Sequence, residues 1–181
     1  MSFVSETSRL RIASMASSDA PALFSYRSDP SVTLFQGFAP ESVADAEAFI
    51  EGSLGADFAQ VDRWSQVGLF LKETGELVGD MGARRLGYEG AQAEIGFTIA
   101  PSHQRRGLAT EAVRALLTHL FDELSVHRVM GSVDPDNAGS RALLEKVGMR
   151  QEAHFVKAYW FRDRWVDDVV YAMLREEWDA R

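Results

Sequence analysis

Apolar side chains recur along this chain with two different periods, and the changes between them mark out its elements. Residues 9–15 (RLRIASM) alternate well enough for a short strand. Ser17, Ser18 and Asp19 then supply capping oxygens ahead of a helix over residues 20–27. Pro40, Glu41 and Ser42 open a second helix, in which Val43, Ala46, Phe49, Ile50 and Leu54 recur at helical spacing. From Trp64 to Lys72 the period falls to two, with Val67, Leu69 and Leu71 on one face. Gly75 marks a turn into a strand over residues 77–86, which makes the pair a hairpin. Gly87 and Gly90 bracket a further turn into a strand over residues 91–100.

Beyond Gly107 lies the clearest helix. Val113, Leu116, Leu117, Leu120, Phe121 and Leu124 form one apolar stripe, with Glu111, Arg114, His119 and Asp122 off it. Residues 127–133 read as a strand, residues 137–147 as a helix ended by Gly148, and the remainder as two strands around Arg162, Asp163 and Arg164. The order is β-α-α-β-β-β-α-β-α-β-β. It predicts an α/β chain of the mixed, α+β kind, with about seven strands in a central mixed sheet and about four helices flanking it. No repeat, low-complexity tract or linker divides the 181 residues, so a single domain over residues 1–181 is expected.

Composition narrows the partners. The 19 Lys and Arg against 27 Asp and Glu leave a formal charge of -8, a poor match for nucleic-acid backbones and a better one for cationic partners such as amines. With no cysteine there is no disulfide, thiolate metal site or cysteine nucleophile. The first fourteen residues carry no apolar run of the signal-peptide kind, and no later stretch is long enough to span a bilayer. A soluble cytoplasmic protein without a membrane partner, either a monomer or a homodimer, is expected.

The strand over residues 91–100 and the turn after it hold the candidate chemistry. Ala93, Ile95, Phe97 and Ile99 share a face that belongs in the core, while Gln92, Glu94, Gly96, Thr98 and Ala100 share the other. Small residues make that second face shallow, so something other than large side chains can lie against it. Pro101 interrupts the ladder, and Gln104-Arg105-Arg106-Gly107-Leu108-Ala109 leads straight into the amphipathic helix. A helix start offers unpaired N–H groups and the positive end of the macrodipole, which suits a pyrophosphate. Gly107 and Ala109 keep side chains clear, and Arg105 and Arg106 add charge. An ordinary strand-to-helix turn with solvated arginines fits the hexapeptide equally well.

Gln-x-x-Gly-x-Ala between a strand and an amphipathic helix resembles the acetyl-coenzyme A signature of the GNAT superfamily of N-acetyltransferases. The wider string Glu94-Ile95-Gly96-Phe97, Pro101, Gln104 to Ala109 and Thr110-Glu111-Ala112 is similar to the branch with the Rim-type ribosomal-protein N-terminal acetyltransferases. The likeness continues through residues 137–149 (NAGSRALLEKVGM) and ends in Trp165-Val166-Asp167-Asp168, Tyr171 and Glu177-Trp178, covering about half the chain. It implies a GNAT-like fold with a mostly antiparallel mixed sheet, acetyl-CoA as donor and an amine, small-molecule or protein-borne, as acceptor. It also implies that the backbone of Thr98, Ile99 and Ala100 binds the pantetheine arm, as an added strand would. Gln104, Arg105, Arg106, Gly107, Leu108, Ala109 and Thr110 would surround the pyrophosphate.

Asn137 carries two readings, a plain helix N-cap and a contact to the pantetheine or leaving sulfur. Ser140, one turn on, is either a cap partner or a contact to the cofactor and a substitute general acid. Many family members place a Tyr seven residues after the Asn; here that position is Leu144, which leaves the acid unassigned. Coenzyme A thiolate leaves readily enough to need none. Lys146 reaches the adenosine phosphates or simply lies in solvent, and Tyr159 and Tyr171 either line the acceptor pocket or pack in the core. The acceptor pocket in this fold draws on residues 24–38 and 153–165.

Glu94 is the candidate general base, with a surface cross-strand pair as its ordinary alternative. At pH 7, deprotonating a lysine-like amine of pKa ~10.4 costs about 4.6 kcal/mol, whereas an α-amino group near ~7.7–8.0 costs about 1 kcal/mol. A carboxylate relaying the proton through water serves either, and matters more for the first. Direct amine attack on the thioester through a tetrahedral intermediate is expected. His103, His119, His127 and His154 show no ligand spacing, and no metal is expected. A non-catalytic acyl-CoA sensor is the competing class.

Overall fold

The computed structural model describes residues 4–53 and 58–181. Its elements, in order, are β1 (Ser5–Glu6), β2 (Leu10–Ala13), α1 (Ala20–Arg27), α2 (Pro30–Thr33), α3 (Val43–Gly52), β3 (Trp64–Leu71), β4 (Leu77–Leu86), β5 (Gln92–Ile99), α4 (Leu108–Thr118), β6 (Arg128–Val133), α5 (Ala138–Lys146), β7 (Arg150–Phe161), β8 (Arg164–Leu174) and α6 (Arg175–Asp179). Leu54, the last of the apolar series expected in the second helix, lies outside the described residues.

Three short elements escape the periodicity. β1 has two residues, α2 four and α6 five, each too short to show a repeat. Capping is also redistributed. Ser42 is extended (φ -148°, ψ 165°) and accepts from the Asp45 N–H, while the Asp45 carboxylate accepts from the Ser42 N–H, a reciprocal box that starts α3. Asp19 does not cap α1 as expected. It stands at the N-cap of α1 with helical angles (φ -85°, ψ -7°) and its side chain bonds none of that helix's N–H groups; its carboxylate accepts instead from the Ala16 N–H, at the start of the 3-10 turn Ser17–Asp19.

The strands form one sheet in the order β1-β2-β3-β4-β5-β6-β8-β7. Every neighbouring pair is antiparallel except β5 and β6, which are parallel and paired only from Gln92–Glu94 to Arg128–Met130. Past that point β6 continues against β8 while β5 runs on with β4, so the sheet splits there. Helices cover both faces. The apolar stripe runs from α4 into a π-helical turn (His119–Glu123): Val113, Leu116, Leu117, Leu120 and Phe121 are fully buried, each such side chain contributing about 1.5–3 kcal/mol, and Leu124 is half-buried. On the opposite face α1 and α3 bury Leu23, Tyr26, Ala46 and Ile50 against Met15, Phe70, Leu77 and Ala100.

A buried ion pair ties the second face to the sheet. Asp80 of β4, fully buried, accepts from Tyr26 (2.8 Å), from two guanidinium nitrogens of Arg27 and from Gln66 (2.9 Å). Four donors satisfy the carboxylate, which is what allows a charge to remain there. The same guanidinium lies over the Phe49 and Phe38 rings at 5.2 and 5.8 Å and reaches the Phe38 carbonyl.

Candidate active site

The turn between β5 and α4 is built on unusual backbone. Arg105 (φ 59°) and Gly107 (φ 79°) are both left-handed, the kind of turn from which anion-binding concavities are made. A Cβ on Gly107 would meet only Arg9 at 3.5 Å, so conformation rather than space calls for glycine there. The first intrahelical bond of α4 runs from the Glu111 N–H to the Gly107 carbonyl, which leaves the N–H groups of Leu108, Ala109 and Thr110 at an open helix start. Arg105 and Arg106 are exposed at its mouth, whereas the Leu108 side chain is buried in the core, so only its backbone is available.

Long-range contacts hold this turn. The Gln104 amide donates to the Ile99 carbonyl (3.0 Å), closing the loop onto the end of β5. The Arg9 guanidinium donates to the Arg106 carbonyl (2.8 Å) and pairs with Glu111 (2.7 Å), which also accepts from Thr7, Ser8 and the Arg9 N–H. Burial works against the Glu111 charge, but the bonds from Thr7, Arg9 and Ser8 more than offset it and bring the carboxyl down to about 2. Nothing in the sequence linked Arg9 to residues about a hundred positions away.

The shallow face of β5 proves shorter than expected. Thr98 and Ala100 are buried, the latter under α1 and α3, and the Thr98 hydroxyl has no hydrogen-bond partner among the described residues. Ile99 is buried on the other face. The bare stretch lies around Gly96, which pairs with Gly82. A Cβ there would meet only Trp64, at 3.9 Å.

Where β5 and β6 part, a cavity of about 240 Å³ opens between Phe35, Trp64, Glu94, Gly96, Ser132 and the β7–β8 hairpin. An adjoining cavity of about 130 Å³ shares Phe35, Ile95, Gly96 and Ser132 and adds Asn137, Ser140 and Leu144. The structure therefore brings Glu94, Asn137 and Ser140 to one split in the sheet. Glu94 makes the expected cross-strand pair and also faces the cleft. It lines the larger cavity, and it pairs with Arg84 across the strand register at 2.7 Å, with the Arg84 guanidinium lying 5.6 Å over Trp64. Asn137 caps α5, its side-chain oxygen accepting from the Ser140 N–H (3.1 Å), and also lines the inner cavity.

The two tyrosines separate. Tyr159 lines the larger cavity, while Tyr171 is fully buried, donating to Glu145 (2.8 Å) and accepting from Arg141 (3.2 Å), and so takes no part in the cleft. Its β8 position faces the α5 side, where the core excludes water. Lys146 is exposed in the last turn of α5, outside both cavities. Of the segments expected to form the acceptor pocket, Phe35 and Gly37 from the first and Tyr159 and Phe161 from the second line the cleft. Arg162 at the hairpin tip joins them by donating to the Thr33 carbonyl (2.8 Å). Sequence reasoning missed Trp64, Arg84 and Asp134 and assigned no role to Asp167 and Asp168; two adjacent carboxylates inside a strand were the available signal. The Lys157 N–H, then the His154 side chain (2.7 Å), hold the Asp167 carboxyl below its ordinary range. Among the described residues no group of three or more His, Cys, Asp or Glu could hold a metal ion, and no helix is long and apolar enough to cross a membrane.

A sheet split at its parallel pair, with a left-handed turn and open helix start beyond one strand and a carboxylate-lined cleft beside it, is an acetyltransferase architecture. The chain belongs to the GNAT acetyltransferase family: residues 9–150 match its Acetyltransferase (GNAT) domain. It is 32% identical over 177 residues to the uncharacterized N-acetyltransferase YnaD of Bacillus subtilis, covering 96% of this chain and 98% of YnaD. A second uncharacterized N-acetyltransferase of that organism, YoaA, is 30% identical over 171 residues, 94% of this chain and 96% of YoaA. The crystal structure of a GNAT-family acetyltransferase from Bacillus anthracis has the same fold (TM-score 0.86, 29% identity, 97% of this chain and 100% of that one).

Proposed function

We propose that the protein transfers the acetyl group of acetyl-CoA to a primary amine by direct attack of the amine on the thioester. One observation carries the reading: the strand that leads into the anion-binding turn also bears Glu94 in the cleft, so donor and acceptor meet along β5. The residues present fit the donor. Leu108, Ala109 and Thr110 offer backbone N–H groups, Arg105 and Arg106 offer charge at the mouth, and the bare backbone at Gly96 leaves room for an extended arm. Acetyl-CoA, when bound, supplies the activated acyl group.

Glu94 accepts the amine proton, directly or through water, and Arg84 holds its carboxylate toward the cleft. Asn137 positions the start of α5 beside the reacting carbonyl, and Ser140 is the one hydroxyl on that turn available to the departing sulfur. Leu144, buried in the inner cavity, supplies no proton. The likeness of residues 94–112 to the Rim-type branch supports a place for the protein there, and the cysteine-free composition is compatible with a reducing cytoplasm.

Thiol release from acetyl-CoA, measured over a panel of primary amines with product masses, tests the reading. Amine-dependent release with acetylated product is expected. Tight acetyl-CoA binding without it would leave the protein as a sensor.

A further inference from the structure

The cleft beside Glu94 has one electrical character. Its ionisable acid groups are Glu94, Asp134, Asp167 and Asp168, and none of its lining residues is Lys, Arg or His. Glu94 is paired with Arg84 and Asp167 with His154. Asp134 and Asp168 have no ion-pair partner among the described residues; Asp134 accepts from the Asp136 N–H and Asp168 from the Ser132 hydroxyl. The remaining wall is aromatic, with Trp64 and Tyr159 42% and 54% exposed and Phe35 and Phe161 beside them.

Rings and carboxylates around a concave space are what organic cations bind. The rim already shows the arrangement in use, because the Arg84 guanidinium rests on Trp64 while paired with Glu94. In acyl transfer the reacting ammonium must lose its proton, so it needs a base, not a permanent counter-ion. Glu94 meets that need. Asp134 and Asp168 are then surplus to a single-charge acceptor, and burying them under a neutral substrate would leave two carboxylates desolvated with one hydrogen bond each and no counter-charge.

Resting on the acetyl-transfer reading, we propose that the acceptor carries a second fixed positive charge, as an aliphatic diamine or polyamine does. Its unreacted ammonium lies between Asp134, Asp168 and the aromatic wall. The reacting ammonium gives one proton to Glu94, directly or through water; the N–C bond then forms, the C–S bond breaks with the electron pair leaving on sulfur, and the nitrogen's second proton passes to the departing thiolate or to water. The second ammonium is unchanged.

The test compares 1,5-diaminopentane with pentylamine, equal in chain length and differing by one charge, using acetyl-CoA and the full chain. The diamine is expected to show kcat/KM at least tenfold higher, with the advantage shrinking between low and high salt. In Asp168→Asn and Asp134→Asn, kcat/KM is expected to fall several-fold more for the diamine than for the monoamine, mainly through KM. Equal kcat/KM for the two amines, or a ratio unmoved in both variants, overturns the inference and leaves acetyl transfer standing. Absence of thiol release with every amine overturns acetyl transfer and this inference with it.

Discussion

The turn over residues 104–107 and the cleft around Glu94 share one strand, yet they are made of different material. The turn works through backbone: left-handed Arg105 and Gly107, and N–H groups at a helix start. Its side chains either point to solvent or, like Gln104, fasten the loop. The cleft works through side chains contributed by β3, β5, β6, β8, the hairpin and the segment after α2. A site made of backbone needs only one short run of sequence. A side-chain site is assembled from distant segments and can be changed one residue at a time.

Substitutions should expose that difference. The largest effect is expected at the strut beneath the acceptor side. Asp80→Ala leaves Arg27 buried without its counter-ion, a loss of about 3–5 kcal/mol measurable by denaturant unfolding. A loss near zero would mean that Arg27 finds another partner. Next, Glu94→Gln should lower kcat by about 10²-fold, more at pH 6 than at pH 9, with acetyl-CoA affinity unchanged. Turnover that is the same across that range would remove Glu94 as base.

Gly107→Ala should act on the other half alone. Forcing an L-residue to φ 79° costs about 1–2 kcal/mol, so KM for acetyl-CoA rises roughly tenfold while KM for the amine holds. A matching rise in both would show the two halves to be mechanically coupled. The last effect is read as a slope against pH and concerns Glu111. Its folded-state carboxyl, near 2, lies below the unfolded value of about 4.3, so its contribution is present above the unfolded value and disappears as pH falls through about 2. Glu111→Gln should therefore flatten the fall in Tm between pH 4.5 and pH 2, and an acid limb identical to the wild type would place the acid sensitivity elsewhere.

Much of the frame was legible because it depends on local periodicity. The apolar stripe from Val113 to Phe121, which spans α4 and the π-helical turn after it, and the hairpin of β3 and β4 appear where the pattern puts them, since burying one face of a helix or strand constrains residue spacing. β1, α2 and α6 are too short to carry a period. Asp19 misled because a residue type suited to capping says nothing of its own backbone angles. At the site, Glu94 was legible from alternation and Asn137 from its place before a helix. Trp64 and Arg84 were not, because their importance comes from lying in one rank with Glu94 across three strands.

By itself the amino-acid sequence determined the order of the longer elements, the core face of each and the strand–turn–helix segment proposed to bind the donor, all of which rest on contacts between near neighbours in the chain. Only the tertiary structure decided how far β5 and β6 stay paired, where the sheet opens, and that Glu94, Asp134, Asp167 and Asp168 share one aromatic-walled space. The reason is physical. Strand register and sheet order are set by the packing of all the faces at once, and no single segment contains that information.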